Sequence, residues 1–520
     1  VPGIEWASGN LGQGLSAGCG FALACHLKNI HNHTFVLMGD GEQQKGQVSE
    51  ARRFAIKYKL RNITAFVDYN KLQISGRTEK IMPQDILENY VSDGWGLIEI
   101  DGHNLVEIRD AIIDAVCHDK PTMILAHTIM GKGVSFMEDK EKYHGAAISE
   151  EQLNEAFKEL GLENDIEKYK KLREKFKPSN SVQKEKNKDF KLKTGKPIIY
   201  EEKTDNRSAW GNAIADIATR TPHPATRNPI VIFDCDLQGS VKTKKFESIL
   251  PQNFFQGGIM EHNTAVIAGA MSKEGLQVFY ADFGVFGVDE TFNQHRLNDI
   301  NNTNLKVITT HVGLDVGEDG KTHQCIDYLG VMKNLFHFKV IIPADPNQTD
   351  RIIRYVATKH GNFLIPMGRS KLDIIKDEEE KIFFGKDYKF IYGKADLLLD
   401  GKDAAIFVMG TLAGRAVEIA EKLLEEKISL QVWNISCPND LDENALKKAA
   451  KTGTIFTYED HNIHTGLGNS IADKLMQMSL SCKFYKFGVE DYGVSGKSSD
   501  LFQFYGLDVN SMVENIKNIL

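Results

Sequence analysis

The amino-acid sequence predicts an α/β protein built from three doubly wound domains, and three observations carry that prediction. At 520 residues the chain is too long for one hydrophobic core. Short apolar runs alternate with helical patterns from end to end, the rhythm of parallel strands joined by crossover helices. Two charged stretches interrupt the rhythm. From Glu163 to Asp205 the chain turns Lys-rich and polar, as in Lys184-Glu-Lys-Asn-Lys-Asp189, with few large side chains to bury, and it reads as a linker. The second, Asp377-Glu-Glu-Glu-Lys381, precedes a strand expected to begin near Ala404. The expected domains are 1–162, 206–385 and 386–520, with 163–205 as the linker.

The expected strands follow in order. Thr34–Met38 and Ile63–Val67 belong to the first domain, Ile230–Phe233, Leu305–Thr310 and Val340–Ile342 to the second, and Ala405–Met409, Leu430–Trp433 and Thr454–Tyr458 to the third. Asn253–Gln256 is strand-like and leads to a helix of small residues over Ala265–Ala270. There is no short-period repeat.

Composition narrows the function classes. Hydrophobic residues make up 42% and charged residues 26%, and no apolar run is long enough to span a bilayer, so no membrane partner is expected. The net charge of −8 disfavours nucleic acid and requires local cations to attract any anionic substrate. Seven scattered cysteines without a CxxC pair argue against a disulfide framework or a zinc site and suit a reducing, cytoplasmic setting.

Gly39-Asp40-Gly41-Glu42 follows the first strand, and Asn70 ends the next one in Phe66-Val-Asp-Tyr-Asn70. A GDG after a strand is by itself an ordinary turn. In a parallel sheet, however, the carboxyl ends of neighbouring strands face one crevice, so Asp40 and Asn70 can converge on a single ligand. A carboxylate and an amide oxygen suit Mg²⁺ or Ca²⁺, with diphosphate oxygens completing the shell, and Gly41 lets the backbone approach closely. Farther on come Gly258-Ile-Met-Glu261-His262, the FxxF pair Phe283 and Phe286, and the loop Thr310-His311-Val-Gly-Leu-Asp-Val-Gly-Glu-Asp319-Gly-Lys-Thr-His323-Gln324. Two imidazoles and a carboxylate on one Gly-rich loop can meet a polyhydroxylated substrate from several sides.

GDG followed by a strand ending in Asn resembles the thiamine-diphosphate signature, and the loop resembles the THxxxxxGEDGxTHQ pattern of the transketolase family. The resemblance spans essentially the whole chain, with Tyr458-Glu-Asp-His461 and Gly466-Leu-Gly468 resembling the third domain. It implies transfer of a two-carbon ketol group from a ketose phosphate to an aldose phosphate through a thiamine diphosphate ylid and a covalent intermediate. It makes the Leu72 carbonyl the third metal ligand beside Asp40 and Asn70. Glu261 becomes the acid that activates the aminopyrimidine, in an apolar setting expected to raise its pKa. The resemblance also places Leu11, Gly41, Asp236, Phe283, Phe286 and His144 against the cofactor. Arg207, Ser240 and Arg369 fall where the substrate phosphate is held, His311 faces the substrate and its phosphate, Asp319 a sugar hydroxyl, and His323 the reacting carbonyl.

The same resemblance implies a homodimer and a place in the pentose phosphate pathway. Two departures stand out. The family's first domain starts upstream of Gly9-Asn-Leu-Gly-Gln-Gly14, so the sequence reads as N-terminally incomplete, and Lys45 stands where GDGxxxEG has Glu. Other readings remain open: deoxyxylulose-phosphate synthase, a 2-oxo acid dehydrogenase component, or a catalytically silent homologue.

Overall fold

The computed structural model describes residues 3–176, 189–220 and 229–520. Two compact units divide the chain, one of residues 8–188 and the other of residues 1–7 with 189–520.

The first unit holds a four-stranded, fully parallel sheet of β1 (Thr34–Gly39), β2 (Ile63–Tyr69), β3 (Gly96–Asp101) and β4 (Thr122–His127), in the order β1-β2-β4-β3. The helix Gly14–Lys28 lies against β1, where a Cβ on Gly18 would stand 2.4 Å from Val36 Cγ2, so only glycine permits that approach. Val36 and Met38 point into the core, whereas Phe35 and Leu37, on the opposite face of β1, are 50% and 78% exposed. The helix Ile166–Lys175, which buries no residue, occupies the start of the expected linker.

Among its described residues the second unit contains two large sheets and a two-stranded antiparallel pair of Thr204–Asp205 with Lys371–Leu372. In the six-stranded one, β5 (Ile230–Asp234), β6 (Phe254–Gln256), β7 (Gln277–Phe283), β8 (Leu305–Thr310), β9 (Phe338–Val340) and β10 (Asn362–Pro366) run parallel in the order β9-β10-β8-β7-β5-β6. β5 and β8 are buried at every position, as expected of strands covered on both faces. The helix Glu261–Ser272 crosses the helix Phe292–Ile300 so closely that a Cβ on Gly269 would collide with Asn298, whose amide donates to the Ala265 carbonyl at 3.0 Å. The small residues foreseen there serve that crossing.

In the five-stranded sheet, β11 (Asp396–Leu399), β12 (Ala404–Val408), β13 (Leu430–Asn434), β14 (Thr454–Asn462) and β15 (Lys483–Val489) are ordered β11-β13-β12-β14-β15. Every pairing is parallel except that of β11 with β13. The sheets therefore define the expected α/β class, and each is wound with helices.

One expected strand needs correction. The strand expected over Val340–Ile342 lies at Phe338–Val340, because the Ile342 N–H turns away to the Ser436 carbonyl at 2.8 Å. The strand expected near Ala404 is β12, which begins at Ala404, and the antiparallel β11, not named from the sequence, precedes it. The expected linker falls partly on residues 177–188, outside the described residues. Its later part is a packed strap: the Phe190 N–H reaches the Thr358 carbonyl at 2.7 Å, Ile198 N–H reaches Asp350, and Tyr200 exchanges two hydrogen bonds with Asn347. Among the described residues, no helix is long and apolar enough to cross a membrane.

Candidate active site

In the first unit, the turn after β1 and the turn after β2 meet as the parallel pairing requires. The buried Asp40 accepts the Gly41 N–H at 2.6 Å on one oxygen and the Lys71 N–H at 2.5 Å on the other. Lys71 takes a left-handed backbone (φ 62), and Asn70 Oδ1 accepts the Leu72 N–H at 2.9 Å. Asp40, Asn70 and Leu72 thus share one folded-back turn, which continues as a hairpin of Leu72–Gln73 with Gly76–Arg77. Burial holds the Asp40 carboxyl above its ordinary range, with the Lys71 and Gly41 N–H groups opposing. Among the described residues no ammonium or guanidinium is ion-paired with it, so a bound cation would supply the missing positive charge. A side chain at Gly41 would meet Gln73 Cγ at 2.9 Å. The all-oxygen donor set and this cradle fit a hard divalent cation and a diphosphate.

Glu42 extends the site by accepting the Gly12 N–H at 2.6 Å, which fixes the loop carrying the exposed Leu11. Lys45 lies over the same glycine, its Cβ 2.6 Å from where a Gly12 Cβ would stand. His144 is exposed at the end of the 3₁₀ turn Glu141–Tyr143.

In the second unit the remaining candidates gather at the carboxyl ends of β5, β7, β8 and β10, where ligands bind in such sheets. Arg207 is the hub: its guanidinium donates to the Arg369 carbonyl at 2.8 Å and the Ser240 carbonyl at 3.3 Å, stands 3.3 Å from Asp205, and lies 3.5 Å from His311 Nε2. Arg369 donates to the Val316 carbonyl at 2.9 Å and pairs with Glu318 at 3.1 Å and Asp319 at 3.8 Å. His311, left-handed at φ 57, stacks on Phe283 with ring centroids 3.8 Å apart. Phe283 stacks on Phe286 at 6.0 Å, and Phe286 meets the half-buried His323 edge-on at 5.5 Å. Arg207, Ser240, His311, Asp319, His323, Phe283, Phe286 and Arg369 therefore form one continuous wall. Burial, reinforced by Arg207 and Arg369, pushes the His311 pKa down to about 3, so its imidazole is neutral.

Glu261 begins the helix Glu261–Ser272, and its surroundings differ from the apolar pocket expected. Its carboxyl lies within 4.8 Å of both Cys235 Sγ and a carboxyl oxygen of Asp282. Asp236 is exposed, left-handed at φ 62, with its N–H on Gln256 Oε1 at 2.7 Å.

Sequence reasoning missed Asp282, Cys235, Asp315 and Asp460. The buried Asp315 accepts the N–H groups of Arg369 at 2.6 Å and Ser370 at 2.8 Å together with the Ser498 hydroxyl at 2.9 Å, and so anchors the Arg369 turn. Asp460 accepts the Leu314 and Asp315 N–H groups at 2.7 and 3.3 Å. Asp282 was visible immediately before the FxxF pair; its spatial neighbours were not. A cleft of about 550 Å³ borders Asp315 and Ser370 but includes neither His311 nor Phe283 in its lining.

A three-domain α/β fold with an oxygen-lined turn at Asp40 and an Arg–His wall accompanies family matches that place the chain in the thiamine-diphosphate-binding class. The family descriptions agree in order: "Transketolase, thiamine diphosphate binding domain" matches residues 1–210, "Transketolase, pyrimidine binding domain" 202–373 and "Transketolase, C-terminal domain" 393–512. The chain belongs to the transketolase family. It is 27% identical to mouse transketolase over 525 aligned residues, covering 99% of this chain and 80% of that protein. Its fold matches the crystal structure of transketolase from Campylobacter jejuni with a TM-score of 0.82 and 24% identity, covering 99% of this chain and 83% of that one. A transketolase from Pichia stipitis in complex with sedoheptulose 7-phosphate matches with a TM-score of 0.80 and 21% identity, covering 99% and 82%.

Proposed function

We propose that the chain is a transketolase, a transferase moving two-carbon ketol units between sugar phosphates with thiamine diphosphate and Mg²⁺ or Ca²⁺. The observation that carries this reading is the convergence of Arg207, Arg369, Ser240 and His311 on one spot beside the Phe283–Phe286 pair. Two guanidiniums suit a phosphate. A sugar phosphate bound to the Pichia relative is consistent with that ligand class.

Each residue then has a task. Asp40, Asn70 and the Leu72 carbonyl hold the cation, and Gly41 makes room for the diphosphate. Phe283 and Phe286 offer apolar faces to an aromatic ring, and Glu261 holds a proton at its ring nitrogen. When bound, thiamine diphosphate supplies the electron sink that ketose C–C cleavage requires. His311, neutral, accepts or donates a hydrogen bond without adding charge beside Arg207. Asp319 orients a sugar hydroxyl, and His323 serves the reacting carbonyl. Leu11, Asp236 and His144 complete the cofactor contacts in this reading.

The domains are placed at 1–162, 206–385 and 386–520, the working form is a homodimer, and the setting is the cytoplasmic pentose phosphate pathway. The purified chain with thiamine diphosphate and Mg²⁺ is assayed for ketol transfer from xylulose 5-phosphate to ribose 5-phosphate. Sedoheptulose 7-phosphate is the expected product. Tight cofactor binding without that product, or CO₂ release from pyruvate, would overturn the assignment.

A further inference from the structure

Glu261 shares its corner with an acid that none of the roles above uses. Asp282, fully buried in β7, accepts the Tyr280 hydroxyl at 2.6 Å and the Phe283 N–H at 2.8 Å. Cys235 Sγ, a Glu261 oxygen and an Asp282 oxygen lie within 4.8 Å of one another. Several elements bring titratable groups to Asp282. The segment after β5 contributes the Cys235 thiol, the helix Glu261–Ser272 contributes Glu261, and β7 itself contributes the Tyr280 phenol, with His295 beyond it at 6.4 Å between ring centroids. Gly287 packs directly over Asp282, where a Cβ would stand 2.9 Å from Asp282 Cβ and 3.2 Å from Thr309, and neither residue titrates. Among the described residues no lysine or arginine is ion-paired with Asp282. Burial pushes its pKa up to about 8, and the nearby Glu261 charge adds to the rise, while the Tyr280, Phe283 and Cys235 donors oppose it.

We propose that Asp282 is a positioning residue for Glu261: the two carboxyls hold one proton between them, keeping the activating acid in its proton-sharing state through neutral and mildly alkaline pH. The physical reason is repulsion. Two unit charges ~5 Å apart at an effective dielectric of ~20 raise the second ionisation of such a pair by about 2 pH units. A lone Glu261 would surrender its proton earlier as pH rises. Asp282 also sets the ring face that Glu261 works beside, because one of its oxygens fixes the Phe283 N–H. This inference rests on the reading of Glu261 as the activating acid.

The test separates the two. In the full chain loaded with thiamine diphosphate and Mg²⁺, hydrogen–deuterium exchange of the thiazolium proton is followed from pH 6 to 10. Asp282→Asn removes the partner charge, so the alkaline midpoint should fall by at least about one unit, a tenfold slower exchange on that limb. Tyr280→Phe removes a donor that favours ionised Asp282, so the midpoint should rise; a merely structural role would move both variants the same way. An independent readout uses the cofactor-free chain: infrared titration should show a protonated carboxyl band persisting above pH 7 that Asp282→Asn abolishes. Normal exchange in Glu261→Ala would overturn the reading of Glu261. Abolished exchange there, with an unchanged midpoint in Asp282→Asn or no carboxyl band titrating above pH 6, would overturn this proposal alone.

Discussion

His311 shows how a residue's chemistry is set by its surroundings. The sequence offered an imidazole able to shuttle protons near neutral pH. The fold instead presses the ring onto Phe283 and places two guanidiniums nearby, lowering its pKa from 6.5 to about 3. A depressed histidine destabilises the fold as pH falls, since the unfolded chain takes up a proton below 6.5 that the folded one refuses until about 3. His311 should therefore give flat proton chemical shifts between pH 5 and 8, and His311→Asn should lessen the fall in melting temperature between pH 6.5 and 4. A His311 titration near pH 6.5 would contradict the packed geometry. Arg369 allows a second prediction. A charge-assisted contact to phosphate is worth ~1.5–3 kcal/mol, so Arg369→Ala should weaken phosphorylated donors about 10- to 100-fold while sparing unphosphorylated ones. Equal losses on both would place the phosphate elsewhere. This wall was legible because His311, Asp319 and His323 share one loop. Asp315 and Asp460 were not, since the Asp315 N–H finds its carboxylate 145 residues away.

At the scale of elements, β14 supports the His311–Gln324 loop from the neighbouring sheet. Asp460 reaches the N–H groups of Leu314 and Asp315 just beyond Gly313, whose φ of 73 and missing Cβ are both required, because a Cβ would lie 2.2 Å from Asp460 Oδ2. Asp460→Ala leaves two buried N–H groups unpaired, at a cost of about 2–6 kcal/mol, and should lower the melting temperature and raise KM together. Its charge acts with the opposite sign. Burial first, and Asp315 second, raise the Asp460 pKa from 3.8 to about 7, so its stabilising contribution is complete below pH 3.8 and lost as pH rises through 7. Asp460→Asn should therefore gain stability relative to the parent between pH 5 and 8, and a difference independent of pH would show that the carboxyl is not buried as described. The same physics explains which strands could be read from sequence. β5, β8 and β12 are continuous apolar or buried runs and stand out. β7 does not, because polar Gln277 and Asp282 stand towards its two ends; Gln277 is buried only by virtue of the distant Val356 and Ala357 carbonyls, and Asp282 against the Tyr280 hydroxyl and the Phe283 N–H. β15, with Lys483 and Lys486 on a sheet edge, and the short antiparallel β11 lack the pattern of a buried parallel strand.

For the whole molecule, the Asp40 turn and the Arg–His wall belong to different compact units, so ligand binding can be assigned to each by where it protects the backbone. A ligand that binds only the folded chain stabilises it by about 2.7 kcal/mol at 100 times its Kd. Thiamine diphosphate with Mg²⁺ should raise the melting temperature, and Asp40→Ala should abolish the Mg²⁺-dependent part. Protons compete for the same carboxylate. Because burial raises the Asp40 pKa, the Mg²⁺ increment should shrink as pH falls, and sooner than an ordinary aspartate would dictate. Hydrogen exchange localises the effect. Gly41 and Lys71 donate their amide hydrogens to Asp40, so a cation that draws Asp40, Asn70 and the Leu72 carbonyl together should slow exchange at 40–42 and 70–73. With Mg²⁺ and inorganic diphosphate alone, residues 305–310 and 367–370 should exchange as in the free chain. Protection at 367–370 without protection at 70–73 would mean that the diphosphate is held by Arg369 rather than by the Asp40 turn, reversing the two anion sites.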